Sequence, residues 1–437
     1  MKKFLSLVLA LTMLLSIGSV ALAETTDEPV VIHVFHNMLE AGKNAGIALI
    51  EERFTALYPN VTFENTVYDQ GTDYFTQLET AIVSGDMPEL MCGNPGLYAD
   101  LIAEGFVKDL SDNEAIKAMN LPAELLGDVS YEGKIYAYPV DLKTWGIFYN
   151  KAIFEQYGLE VPKTQTELLN ICQTLVDNGV APWAECYADA SQTDIQMRPV
   201  VWTRAIQNGD FDMFEQLMNG TKKVTDYPYF REGLEAMQKR IGNWARPDAV
   251  SNSQTAADEV FVSGQAAMIY NGIWNHGSIE ILARNSETPF EYDFFLCPMD
   301  DSGLGGALTM QVDMSMMVNP CSENPDWACK FMEFWMSECM DIWGEYSLQP
   351  GVTSVLNDET PDFLRDILAT KEAGNAYCYG SFTKPFTSAY TSAYRKALTA
   401  FASYCCTGVA TDGVDSIDSC LQYMQELFDN EHAQSLL

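Results

Sequence analysis

The run Glu259-Val-Phe-Val-Ser-Gly-Gln-Ala-Ala-Met-Ile-Tyr-Asn-Gly-Ile-Trp274 reads as one unit of an open α/β sheet. Phe261 closes a helix, Ser263-Gly264 makes a turn, and Ala266 to Tyr270 is a short apolar run of the kind a buried strand shows. Asn271-Gly272 breaks that strand, and Trp274 follows at once. In open α/β sheets, ligands bind outside the carboxyl ends of the strands. An aromatic residue just past a strand-ending glycine therefore stands where a ligand would be met. A strand, a turn and a core tryptophan would account for the same letters, so the rest of the chain has to decide.

Outward from that run, strand and helix patterns alternate. Val30 to Phe35 is a strand, and the helix from about Gly42 to Tyr58 carries Ile47, Ile50, Phe54 and Leu57 near helical spacing. Pro59-Asn60 ends it, and Val61 to Val67 alternates as a second strand. A helix from Tyr74 to Val83, a strand at Leu90-Met91-Cys92 and a helix from Leu97 to Glu104 complete a β-α-β-α-β-α order. That order argues for a mostly parallel sheet with helices on both faces. Tyr131 to Pro139 is a hairpin signal with its turn at Glu132-Gly133, and Gly146 to Lys151 reads as a strand running into a helix. Late in the chain come the glycine-rich Gly303 to Leu308, the run Val312 to Val318, and a helix from Trp327 to Met336. The part beyond Thr353 is helix-rich.

Composition narrows the class. Met1-Lys2-Lys3, an apolar run from Phe4 to about Val20 and then Ala21-Leu22-Ala23 read as a secretory signal peptide cleaved after Ala23. The first cysteine is Cys92, so no lipidated cysteine follows the apolar run. The chain is thus expected in a periplasm or at the cell exterior. Its 437 residues exceed one ordinary core and predict two domains or lobes. A net charge of −36 repels nucleic acid and anionic lipid, which excludes both as expected partners. The 11 cysteines contain no C-x-x-C pair and mostly sit in apolar or helical contexts, as free buried thiols do.

These landmarks, in this order, resemble the extracellular solute-binding proteins of ABC transporters, family 1, the group that includes the maltose-binding protein. Phe261 to Trp274 matches that family's "F..G.aAM...G.W" signature. Ser84 to Leu90 matches its "SGd.PDv" element with Glu89 for the usual Asp, and Phe106 to Leu110 matches its "gll.pL" element. Tyr131 to Leu169 follows its "dGk.yg.P.......lyYNk.lf...G...P.T" run, and Gly303 to Met336 its "ggg....i...sknpe.A..fl.fl" run. Gln349-Pro350-Gly351-Val352 resembles the segment near a third crossing between lobes. The resemblance covers nearly the whole chain after the signal peptide. It implies an α/β, two-lobed periplasmic-binding-protein fold, each lobe a mostly parallel sheet flanked by helices, joined by a three-segment hinge. The expected lobes are 24–148 with 312–348, and 149–311 with 349–437. The implied ligand is a carbohydrate, the implied partner an ABC permease, and the protein is expected to act as a monomer without cofactor.

Catalytic and metal signatures are missing. His33 and His36 fall on opposite faces of a strand and make no metal pair. Neither a phosphate loop nor a G-x-S-x-G elbow occurs. Sugars offer flat C–H faces edged with hydroxyls, so a site should combine Trp or Tyr with carboxylates and amides. Trp274 is the expected stacking residue, the role the resembled family gives this tryptophan. Asp141 and Trp145 lie in the segment entering the first crossing. Asn37, Glu40 and Asn94 follow the first and third strands, on carboxyl-end loops. Trp202 stands where the family's second lobe often presents an aromatic residue. Gln311 and Asp313 follow the glycine-rich loop near the hinge. Other ligand classes remain open on the same fold, a polyamine, a phosphorylated polyol or a metal chelate, and a cation suits the acidic site residues better than a phosphate. A secreted glycosidase and an adhesin-like sugar-binding module are the alternatives that do not feed an importer.

Overall fold

The computed structural model describes residues 28–436 apart from 69–71, 122, 189, 299, 302–307, 348, 350–361, 364, 368–375 and 379–387. The signal sequence, nearly all of the Gly303–Leu308 loop and residues 350–352 lie outside the described residues.

Strand β1 (Val30–His36) buries every second residue, Val30, Ile32, Val34 and His36, as the period of two requires. It pairs in parallel with β2 (Val61–Val67) from Val30↔Val61 to His36↔Val67, and with β3 (Leu90–Cys92) at Val34↔Leu90. Parallel neighbours need crossover helices, supplied by Ala41–Leu57 and Thr72–Ser84. A hairpin, β4 (Ser130–Tyr131) and β5 (Lys134–Ile135), turns at Glu132 and Gly133, with φ of 47° and 79°. Two positive φ values in a two-residue loop match the twist of the flanking strands, and glycine takes the second at no steric cost.

The remaining strands are β6 (Tyr138–Pro139), β7 (Leu142–Lys143), β8 (Trp145–Asn150), β9 (Ala181–Trp183), β10 (Ala266–Gly272), β11 (Tyr292–Phe295), β12 (Leu308–Val312), β13 (Ser315–Val318) and β14 (Ala376–Cys378). They complete three sheets, ordered β2-β1-β3-β13-β6, β11-β8-β10-β9 and β14-β12-β7. Strand β10 is buried at all seven positions because both its faces are covered. Met268 and Tyr270 join the core beneath the helices Ala190–Asn208 and Pro228–Trp244, whereas Ile269 faces Phe261, Ile279 and Phe294. The break expected at Asn271-Gly272 is absent. Strand β8 begins at Trp145, and its pairs Asn271↔Gly146 and Gly272↔Trp145 carry the ladder to the end.

The small sheet explains the two lobes. The chain leaves the first sheet at β6, passes through β7 and enters the second at β8. It returns from β11 through β12 to β13. It then builds helices Pro325–Glu338 and Met340–Ser347 on the first core and passes β14 before helices Ser388–Thr407 and Ile417–Ser435 on the second. Each crossing thus owns one strand of β14-β12-β7. In each large sheet one strand runs against all the others, β13 in the first and β8 in the second. Both have just crossed over. A strand arriving from the other lobe starts at the hinge end, whereas a strand reached through a helix finishes there. The mostly parallel sheets with a three-segment hinge are therefore present, and all the carboxyl ends that could meet a ligand face the hinge.

Candidate ligand-binding cleft

Past the carboxyl end of β10, Ile273–Asn275 forms one tight 3₁₀ turn and leaves Trp274 half-buried. The indole lies over Gly272: a Cβ there would fall 1.8 Å from the ring. Trp145, which opens β8 on the neighbouring ladder, meets Trp274 edge-on at 6.2 Å and 87°. The turn is held from below. The Asn271 amide donates to Gln254 Oε1 at 2.8 Å, the Gln254 amide to Asp258 Oδ1 at 2.8 Å, and the Asn275 amide to the same oxygen at 2.7 Å. Burial pushes the Asp258 carboxyl up to about 7, against the opposing hydrogen bonds of Asn275 and Gln254.

The first lobe supplies the facing loops. After β1, Asn37 is half-buried, and its side-chain oxygen has no hydrogen-bond partner. Leu39 is exposed, and Glu40 precedes the helix Ala41–Leu57. After β3, Asn94 spends its side-chain oxygen on the Gly96 amide at 3.0 Å and caps a short turn. The helix His276–Asn285, which starts directly after the Trp274 turn, approaches Ala41–Leu57. The structure so brings the Glu40 and Trp274 segments to one cleft. Gln311, in β12, bonds to the buried Asp128 at the cleft's hinge side.

Two expected contacts have other surroundings. Asp141 is fully buried. Its two oxygens take the Met314 amide at 2.8 Å and the Trp343 indole N–H at 3.1 Å, so it is not an open hydroxyl acceptor. Burial, opposed by Lys43, sets its carboxyl up to about 7. Trp202 is 8% exposed and packs on Phe214 and Tyr394, ring centres 4.7 and 6.1 Å away, inside the second core. Both corrections share one cause. A residue's place near a crossing or on a helix does not say which way its side chain points.

Three buried polar groups at the strand ends escaped the sequence reading. Glu185 and Tyr187 follow β9, and Thr144 links β7 to β8. All three are buried, at 4%, 2% and 1% exposure. The Thr144 hydroxyl completes no hydrogen bond, whereas Glu185 lies between the Tyr187 hydroxyl and Arg240. Burial raises the Glu185 carboxyl, and Arg240, 3.9 Å away, opposes that rise. The loop carrying Glu185 and Tyr187 is joined to the Trp274 turn through Gln254, whose Oε1 takes both the Cys186 thiol at 3.3 Å and the Asn271 amide. The carboxyl-end rule that singles out Asn37 and Asn94 would have found Glu185 too. Strand β9 is Ala-Pro-Trp, three residues with a proline, and reads as no strand at all. It is tolerated because β9 is the sheet's edge.

Buried polar groups without partners cost free energy unless something else fills their bonds. Aromatic faces beside such groups suit a ligand that is apolar on its faces and hydroxylated at its edges. Among the described residues, no group of three or more His, Cys, Asp or Glu is placed to hold a metal ion. No described helix is long and apolar enough to cross a membrane.

Comparison with known proteins agrees with this geometry. Residues 41–338 match the family profile described as bacterial extracellular solute-binding protein. An uncharacterized ABC transporter extracellular-binding protein of Pyrococcus horikoshii is 24% identical over 254 residues, 56% of this chain and 56% of its own. The melibiose/raffinose/stachyose-binding protein MelE of Bacillus subtilis is 26% identical over 216 residues, 46% of this chain and 47% of its own. The chain thus spans about half the length of the curated relatives it matches. The solved structure of the solute-binding protein RafE in complex with raffinose superposes with a TM-score of 0.72 at 18% identity, covering 92% of this chain and 100% of that one.

Proposed function

The chain belongs to the bacterial extracellular solute-binding protein family, and from that premise we propose that it captures a carbohydrate, an oligosaccharide, between its lobes and delivers it to an ABC importer. The observation that carries this reading is the Trp145–Trp274 corner, set at the hinge-facing strand ends beside the unsatisfied Thr144 hydroxyl. Trp274 stacks on a sugar ring and Trp145 backs it. Asn37, Glu40 and Asn94 close over the ligand from the first lobe, with Gln311 at the hinge side. Asp141 and Trp202 do not touch the ligand. The protein binds rather than converts its ligand. It works outside the cytoplasm as a monomer, after cleavage behind Ala23. Its lobes are 24–148 with 312–348, and 149–311 with 349–437.

Capture follows from differential affinity. A sugar touching both walls favours the closed state by the contacts the open state lacks. Moving the balance from 1:99 to 99:1 takes about a 10⁴-fold preference.

Thermal unfolding with raffinose, stachyose and maltotriose, and with spermidine alongside, tests the proposal. A ligand at 100 times its Kd adds about 2.7 kcal/mol to native stability, so at least one oligosaccharide raises Tm. Trp274→Ala then loses about tenfold or more in affinity, about 1.4 kcal/mol, with little change in its sugar-free Tm. A shift with spermidine alone, or sugar cleaved during incubation, would overturn the reading.

A further inference from the structure

Asp313 stands directly after β12, and its carboxylate is held by every connection between the lobes. Lys143 of β7, the first crossing, gives its Nζ to Oδ1 at 3.1 Å. Gln349, entering the third crossing, donates Nε2 to Oδ2 at 2.9 Å and reaches the Leu142 carbonyl at 3.4 Å. Lys43, in the first turn of the helix Ala41–Leu57, gives its Nζ to Oδ2 at 3.1 Å. The backbone around Asp313 is as firmly taken. The Val312 amide donates to Asp128 Oδ2 at 2.9 Å, the Asp313 amide to the Asp141 carbonyl at 2.9 Å, and the Met314 amide to Asp141 Oδ1 at 2.8 Å. The chain passes here from β12 to β13, in another sheet, yet three successive N–H groups are satisfied by first-lobe or first-crossing groups.

Lys43 is the unexpected partner. It is 1% exposed and sits at a helix N-terminus, where the helix dipole disfavours a cation. Against the burial that would strip its proton, Glu40, Asp313 and Asp141 hold it charged. Although burial works the other way, Lys43 and Lys143 keep the Asp313 carboxyl far below the ordinary carboxylate range. Lys43 also reaches back to the ligand loop, with Nζ 3.9 Å from Glu40 Oε1 and 3.7 Å from the Met38 sulfur.

We propose that Asp313 is the fixed pivot about which the lobes open and close, and that Lys43 is a positioning residue tying the first-lobe ligand loop to that pivot. The physical reason is the cost of separation. Parting a buried Lys43 from Asp313 would leave two uncompensated charges, which is strongly destabilising. Open and closed forms of a two-state protein differ by far less. The contact is therefore kept in both forms, and the bending falls beyond it, in β12 before Asp313 and in the facing β7 and β14. This inference rests on the two-lobed fold and not on the identity of the ligand.

Dyes introduced through unnatural amino acids at Val83 in the first lobe and Val409 in the second, both well exposed, report the interlobe distance in the ligand-free full chain. Single-molecule energy transfer should give one narrow population for the native sequence. Lys43→Met and Asp313→Asn each broaden it and shift it. The double variant Lys43→Met/Asp313→Asn removes one charge of each sign, so it folds even where a single variant does not, and it too is broadened. Trp202→Phe, which weakens the second core away from the hinge, lowers Tm and leaves the distribution narrow. A double variant that melts lower than the native chain but keeps its narrow distance distribution overturns the proposal, because the cluster is then structural only.

Discussion

Gly272 has an ordinary φ of −78°, so its lack of a side chain serves space and not backbone freedom. Any Cβ there collides with the Trp274 ring. Gly272→Ala should swing the indole out of the cleft, and because the clashing atoms are the far end of a side chain, the fold should absorb the change. The expected result is a fall in ligand affinity comparable to Trp274→Ala, about tenfold, with Tm lowered by only a few degrees. Calorimetric titration and thermal unfolding of the same variant check both halves. At this scale the sequence was a fair guide to residue type and a poor one to direction. Trp274 and Trp145 could be picked out because each adjoins the end of a buried strand. Asp141 has an equally good address, but its carboxylate turns inward to Met314 and Trp343, partners more than 170 residues away in the chain.

Among the elements, the helix Gln165–Asp177 shows how local chemistry sets a boundary. Thr164 Oγ1 accepts the Glu167 amide at 3.1 Å, and Glu167 Oε2 accepts the Thr164 amide at 3.2 Å, a reciprocal capping box. Thr164→Ala should cost about 1 kcal/mol and lower Tm by about 1 °C for a chain of this size, without altering sugar affinity. Denaturant unfolding beside a binding titration tests it. Elements with strong local signals, such as the Glu132-Gly133 turn and strands β1 and β2, were legible within a residue or two. Strand β9 was not, because a three-residue strand exists only through its neighbour: Ala266↔Ala181 and Met268↔Trp183 are what make it one.

The whole molecule carries a charge of −36, with several acids buried within it. Burial pushes Glu51, Asp128, Asp141 and Asp258 up to about 7. From about pH 4 to 7 the native chain keeps protons that the unfolded chain has released, so these groups lose native stability as pH rises through that window. His36 and His276, lowered by burial to about 4, act the other way between about pH 4 and 6.5, where only the unfolded chain is protonated. Four acids outweigh two histidines, and protonation also relieves the net repulsion. Tm should therefore be higher at pH 5.5 than at pH 8, as scanning calorimetry would show. Below about pH 4 the trend reverses, as Asp313 loses the advantage of its two lysines. A Tm that rises steadily from pH 5.5 to 8 would contradict this.

The order of helices and strands at the start of the first lobe, the family, the two lobes and the aromatic end of β10 could all be read from the chain alone. Each rests on local periodicity, turn chemistry or short ordered motifs, which neighbouring residues specify among themselves. The partners of Asp313, the inward turn of Asp141, the place of Trp202 and the burial of Glu185 beside Arg240 belong to the tertiary structure. Those contacts join segments far apart in sequence, and a buried polar group's role is set by which distant partner reaches it.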